Sequence, residues 1–179
     1  MKLLLYCTKA KPYLYYAQES RTLMEIDNSF EGYKTTNKNV DDTLNGKIVA
    51  ECDYEIEEIF EELYGDLDWQ HDYLPTTNTL SIVNLESESC MDREELQDYH
   101  YALHIKNLHI FDEPREVNKL WQFKRYNTHI KNAPQNMMGC YDINGEYKIL
   151  ISIKPESLCK ILNEKKTIEV RKKVLKEML

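Results

Sequence analysis

Five polar residues near the end of the chain have the types and spacing of a small site for an anion or a nucleobase: Lys154, Lys166, Thr167, Glu169 and Arg171. An arginine guanidinium grips a carboxylate or phosphate through two parallel hydrogen bonds, and a lysine adds a point charge. Glu169 has two uses in such a group, orienting the cations or accepting a base N–H. Alternation over 166–173 sets Thr167, Glu169 and Arg171 on one side of a strand and Ile168 and Val170 on the other. The same residues also suit a plain salt bridge between Glu169 and Arg171 or a lysine, worth little where solvent reaches it. A second group, Lys9 and Lys11 followed by Tyr13, Tyr15 and Tyr16, has the aromatic and cationic mix that stacks bases. It equally fits a half-buried tyrosine cluster.

Other chemistry-bearing residues point to packing. His104 and His109 are five apart near one strand and so face opposite ways, which argues against a joint metal site. Cys7 and Cys52 fall on core-like strands as small hydrophobes. Cys159 beside Lys160 is a candidate thiol whose default state is inert. There is no Gly-rich phosphate loop, dinucleotide fingerprint or H-E-x-x-H, so no cofactor and no metal are expected.

The elements that must position these groups can be read from periodicity. Residues 2–8 are an apolar run of the kind found in a buried central strand, ended by Pro12. Residues 13–45 show no clean period and read as an insertion containing a short hairpin. After the Asn45-Gly46 turn, Ile48, Ala50, Cys52 and Tyr54 alternate with Lys47, Glu51, Asp53 and Glu55, giving a half-buried strand with an acidic exterior. Ile56, Ile59, Phe60 and Leu63 take helical spacing and predict a short acidic helix stopped at Gly65. Residues 66–90 read as irregular. Asp92 and Glu95 form a capping-box pattern for a helix over 93–99. Tyr101, Leu103 and Ile105 begin a strand that continues through Ile110, and Asp112-Glu113-Pro114 predicts a turn. Val117, Leu120 and Trp121 fit a short helix. Asn144-Gly145 joins 137–142 to 147–153 as a hairpin, and Pro155 opens a helix over 156–162 with Leu158, Ile161 and Leu162 as its stripe.

The chain has 179 residues, 42% apolar and 30% charged, which suits one globular domain. A mean hydropathy of −0.63 and the absence of a long apolar run argue against a membrane span. The start lacks the apolar length of a signal peptide, because Lys9 and Lys11 interrupt it. Five scattered cysteines without a CxxC pair fit reduced thiols and a cytoplasmic setting. The net charge of −8 is segregated: residues 41–99 hold 18 Asp/Glu against two Lys/Arg, while 148–179 hold nine Lys/Arg against four Asp/Glu. A chain so divided can present a basic face to phosphates while its acidic part points elsewhere.

Ile151-Ser152-Ile153-Lys154-Pro155, with Ile161-Leu162-Asn163-Glu164-Lys165-Lys166-Thr167-Ile168-Glu169-Val170-Arg171-Lys172, resembles the opening of ASCH domains, small members of the PUA-like barrel superfamily. The usual pattern there is a strand, SIKP, a helix and L-x-G-E-K-T-x-E-x-R. Leu4–Lys9, Asn45–Cys52, Tyr101–Ile105 and Phe111–Pro114 resemble the later strands and the closing turn, and Ala133-Pro134-Gln135 the tail of phage-type members. The SIKP segment, first in the family, comes last here, so the resemblance implies a circular permutation. Its implied fold is an α+β PUA-like β-barrel of about five to seven mostly antiparallel strands with short flanking helices. The implied organisation is a single domain over 1–179, with 13–45 inserted and 146–179 permuted.

The resemblance implies binding of RNA or a modified nucleoside, with Lys154, at the end of a neighbouring strand, joining Lys166, Thr167, Glu169 and Arg171 around the barrel mouth, and Lys9 and Lys11 nearby. Some relatives of this type remove the acetyl group from N4-acetylcytidine. Here the motif lysine is Lys166 and the strand arginine Arg171, but Glu169 stands where those enzymes carry a threonine, and Glu164 where the motif has glycine. An amidohydrolase reading would use Lys166 and Glu169, or Glu88, as catalytic groups. A third reading makes the chain a phage-encoded interaction protein whose acidic stretch engages a basic channel on a host protein.

Overall fold

Strong apolar runs dictate the middle of the sheet. In the computed structural model, residues 1–8, 14–17, 22–25, 46–59 and 82–179 are described. Ten strands occur among them: β1 (Lys2–Cys7), β2 (Leu14–Ala17), β3 (Thr22–Glu25), β4 (Ile48–Glu58), β5 (Tyr101–Arg115), β6 (Trp121–Gln122), β7 (Arg125–His129), β8 (Met137–Tyr141), β9 (Tyr147–Ile153) and β10 (Ile168–Arg171). The helices are α1 (Ile82–Ser89), α2 (Arg93–Leu96) and α3 (Pro155–Leu162). Eight strands share the hydrogen-bonded order β10-β5-β4-β1-β9-β8-β6-β7, and β2 pairs with β3 as the hairpin expected within 13–45.

This is a β-rich α+β fold, and the expected closed barrel of five to seven strands is not formed among the described residues, whose strand order begins at β10 and ends at β7. The expectation that Lys154 ends a strand next to β10 is also corrected. β10 pairs with β5, whereas β9 pairs with β1 and β8. The chain divides into two compact units, Met1–Asp53 with Asn107–Glu164, and Tyr54–Lys106 with Lys165–Leu179.

In the first unit, β1 lies between β4, antiparallel, and β9, parallel. Leu3 and Leu5 oppose Cys52 and Ala50 on one side and Ile149 and Ile151 on the other, and all six are buried. Directly opposed residues share a face of the sheet. On the other face Leu4, Leu150, Cys140 and Ile48 pack with Phe111, Val117, Leu120 and Ile130. Burial on both faces explains why β1 and β9 read as continuous apolar runs and not as alternating ones.

The expected hairpin forms between β8 and β9, its turn tightened by Asp142, whose carboxylate accepts from the backbone N–H of Asn144 and Glu146. Pro155 begins α3 as expected, and Leu158, Cys159, Ile161 and Leu162 are buried along it. α3 ends where Asn163 N–H meets Cys159 O and Glu164 N–H meets Ile161 O, with Glu164 at φ 61°. That left-handed conformation favours glycine, because a Cβ crowds the following carbonyl. Glu164→Gly is therefore expected to raise stability by about 1 kcal/mol, read from the urea midpoint. An unchanged or lower midpoint would mean that the Glu164 side chain contributes more than its backbone strain costs.

In the second unit, β10 pairs antiparallel with β5, setting Ile168 opposite His104, Glu169 opposite Leu103 and Arg171 opposite Tyr101. Ile168 and Val170 pack with Ala102, Ile59, Leu85 and Leu96, and Met91 and Tyr99 cover the cluster. α2 carries the full capping box: Asp92 accepts from Glu95 N–H while the Glu95 carboxylate accepts from Asp92 N–H. It ends at Leu96, sooner than expected.

Three sequence expectations are corrected. The strand β4 continues through Glu58, so Ile56 is not in a helix. Glu55 pairs with Lys106 and Glu57 with His104, both on β5, and these cross-strand pairs hold the extended form. Phe60, Leu63 and Gly65 lie outside the described residues. The segment 66–90 reads as irregular, yet α1 occupies its end, with Leu85 and Ser89 buried at i,i+4 spacing. Finally, Asp112-Glu113-Pro114 does not turn the chain, because β5 runs on to Arg115. The register with β10 reaches no further along β5 than Ile168 opposite His104, so Pro114 sits where that side of the strand has no β10 ladder to break.

Candidate functional site

The loop after α3 delivers the candidate residues into the second unit, and it is pinned from two sides. Thr167 N–H donates to Glu88 O at the end of α1 (2.9 Å), and Ile105 N–H donates to Thr167 O (2.8 Å). Cys90, itself at φ 55°, points its thiol at Lys165 O (3.3 Å). At the other end of β10, His100 N–H donates to Arg171 O. The backbone of 165–171 is thus fixed before any side-chain chemistry comes into play.

Within that frame Glu169 is the hub. Its Oε2 stands 2.9 Å from Lys166 Nζ and its Oε1 2.9 Å from Arg171 Nη2. Lys166 and Glu169 are buried and Arg171 is largely covered, at 3%, 9% and 13% exposure respectively. This is not the solvated salt bridge that spacing alone allows. Two cations share one carboxylate in a poorly hydrated place, where interactions with an anion are strengthened. Glu169 Oε2 accepts no hydrogen bond of good geometry despite its ion contact, and Ser89 Oγ is a further buried oxygen with no hydrogen-bond partner among the described residues. Buried polar oxygens with capacity to spare are uncommon in folded proteins outside functional sites.

The remaining candidates are placed differently. Thr167 is exposed, and its side chain is not part of the buried cluster. Lys154 is exposed at the N-cap of α3 and belongs to the first unit. Lys9, Lys11 and Pro12 lie outside the described residues, as do the side chains of Tyr13, Tyr15 and Tyr16. Glu88 is exposed and supplies its backbone carbonyl to the 165–167 loop. The contribution of α1 is one that sequence reasoning misses. Its signal is the Leu85/Ser89 spacing ahead of the Asp92 cap.

Much of the acidic exterior of β4 is engaged within the fold. Asp53 pairs with Lys2 (3.4 Å) and accepts from Asn107 Nδ2 (2.8 Å), which together hold its carboxyl below the usual range, the amide contact first. Glu51 stands 3.4 Å from Lys148, an ammonium 8% exposed that also meets Glu146 (3.2 Å) and Asp142 (3.5 Å). Burial alone would lower the Lys148 pKa, but the three carboxylates overcome it and raise it. His104 contacts Glu57 at 2.5 Å, and His109 packs edge-on against Phe111, so the two histidines serve separate contacts.

Cys7, Cys52 and Cys140 are buried, and desolvation pushes each thiol up to about 12. Cys159 is 1% exposed and accepts from Asn163 Nδ2, which matches the inert packing role. Among the described residues no helix is long and apolar enough to cross a membrane. Comparison with protein-family models, curated proteins and solved structures finds no match for this chain.

Proposed function

We propose that the chain is a circularly permuted ASCH-like module of the PUA-like superfamily that binds RNA or a modified nucleoside in the cytoplasm, with the ligand recognised at Lys166, Glu169 and Arg171. The observation that carries this reading is the cluster in which Lys166 and Arg171 both meet the buried Glu169 carboxylate, each residue at a position of the family-like motif. A phosphate or a base carbonyl suits the guanidinium and ammonium, and the carboxylate suits a base N–H. Two further features support the reading. The β8–β9 hairpin makes neighbours of the two strands that a permutation must join. The left-handed backbone at Glu164 falls where the motif carries glycine. Binding is favoured over amide hydrolysis because the residue at the threonine position is a carboxylate held by two cations, and Thr167 is exposed.

The test is titration with cytidine, N4-acetylcytidine and a short single-stranded RNA at low and moderate salt. The unsubstituted chain is expected to bind, with RNA affinity falling steeply as salt rises. Arg171→Ala should weaken RNA binding about tenfold and flatten the salt dependence by about one unit of slope. Absence of binding at low salt, or the same affinity in Arg171→Ala, would overturn the proposal.

A further inference from the structure

A transverse row of aromatic rings crosses four strands of the first unit. Trp121 on β6 is paired with His129 on β7 and with Tyr141 on β8, and Tyr141 is paired with Tyr147 on β9. Directly opposed residues share a face, so His129, Trp121, Tyr141 and Tyr147 line up across the strands on one side. Trp121 and His129 stack with ring centroids 3.6 Å apart and planes tilted by 31°. Phe123, from the β6–β7 turn, leans over the other end of the row, 4.9 Å from Tyr147 and 5.9 Å from Tyr141. Gly139 makes room for this, because a Cβ there would collide with the Tyr147 hydroxyl. The glycine lets Tyr147 lie across its strand neighbour.

Such a row could be no more than packing, but its exposure and charge argue otherwise. Phe123 is 42% exposed, His129 is exposed, and Trp121, Tyr141 and Tyr147 are half-buried. A buried cluster would hide its phenylalanine ring, and here Phe123 stands in solvent, followed by exposed Lys124 and by exposed Arg125 at the start of β7. Lys124 and Arg125 follow Phe123 directly in the chain, and the single carboxylate over 115–136, Glu116, is paired with Lys47. The nearby hairpin carboxylates Asp142 and Glu146 are engaged by Lys148, whose register partner Cys140 lies on the opposite face from the ring row. The end of the row at Phe123, Lys124 and Arg125 is therefore apolar and cationic, and a polyanion with flat apolar groups complements it.

We infer that the row His129–Trp121–Tyr141–Tyr147, with Phe123, Lys124 and Arg125, is a stacking surface for single-stranded nucleic acid. Bases stack on the rings while the turn cations meet the phosphates, and stacking of this kind tolerates any sequence because every base has a flat face. A duplex hides its base faces and does not fit. The surface lies in a different unit from the Lys166 cluster and does not depend on it.

The experiment uses the full chain carrying Trp69→Phe, which leaves Trp121 as the only tryptophan. Oligouridine, oligothymidine and a duplex of mixed sequence are titrated at low salt, reading both tryptophan quenching and anisotropy of the labelled strand. Both single strands are expected to quench Trp121, and the duplex to bind at least about tenfold more weakly. Phe123→Ala, an exposed position, and the pair Lys124→Glu with Arg125→Glu should each weaken single-strand binding and Trp121 quenching about tenfold. Binding without Trp121 quenching, equal binding in Phe123→Ala, or a duplex bound as tightly as the single strands would overturn the inference.

Discussion

Glu169→Ala is expected to cost about 3–5 kcal/mol of folding stability. The carboxylate bridges Lys166 and Arg171, with Lys166 and Glu169 buried and Arg171 largely covered. Removing it takes the shared carboxylate from two like charges in a place that water enters poorly, so both the Coulomb repulsion and the desolvation cost rise. Glu169→Gln keeps the shape and an acceptor oxygen, so its loss should be smaller, on the order of 2 kcal/mol. Urea unfolding at neutral pH measures both. A loss below about 1 kcal/mol for Glu169→Ala would mean that solvent screens the cluster as it does a surface pair.

The second large effect is expected at Lys148. Lys148→Ala should destabilise the chain by about 3 kcal/mol, because Glu51, Asp142 and Glu146 then confront one another around a buried gap. The ammonium has its pKa raised in the folded state by those carboxylates, against the opposing pull of burial. A group whose folded pKa lies above its unfolded value contributes stability that is complete below the unfolded pKa, about 10.4 for lysine, and disappears as pH rises through the folded value. The gap between the unsubstituted chain and Lys148→Ala should therefore be constant well below the unfolded lysine value of about 10.4 and shrink as pH rises beyond it. A gap that stays the same at high pH would assign the effect to lost packing of the lysine stem and not to its charge.

What is legible in the sequence follows from how many independent signals agree at each place. β1 and β9 are readable because burial on both faces leaves only apolar residues. The 92–95 cap, the Asn144-Gly145 turn and Pro155 each combine a local rule with the expected neighbour. The same local rules misread 56–63, where Ile56 and Ile59 fit helical spacing as well as an extended chain. Contacts from Glu55 and Glu57 to β5 decide the matter, and these are invisible until β5 is paired. Pro114 reads as a stop because a proline breaks a ladder, but at this register there is no β10 ladder to break.

The candidate site is legible as residue types and one strand face, and no further. Alternation alone cannot say whether the polar face of a strand meets water or another layer, so the burial of Lys166 and Glu169 has no sequence signal. Nor can it say that Lys154 and Arg171 fall in different units, since that depends on which strands β9 and β10 choose as partners. The aromatic row escapes sequence reading for a similar reason. Trp121, His129, Tyr141 and Tyr147 share no period along the chain and meet only through the registers of four strands.

A buried ion cluster kept only for structure can be replaced by apolar groups of similar volume without loss, whereas one kept for recognition cannot. The decisive measurement is nucleoside and RNA binding by the triple variant Lys166→Met, Glu169→Leu and Arg171→Met, with its urea unfolding curve followed in parallel. The curve should show a cooperative transition at the original midpoint or above it, while affinity for N4-acetylcytidine and for short RNA at low salt falls at least about tenfold. Full retention of nucleoside affinity in the folded triple variant would contradict a binding role for the Lys166–Glu169–Arg171 cluster.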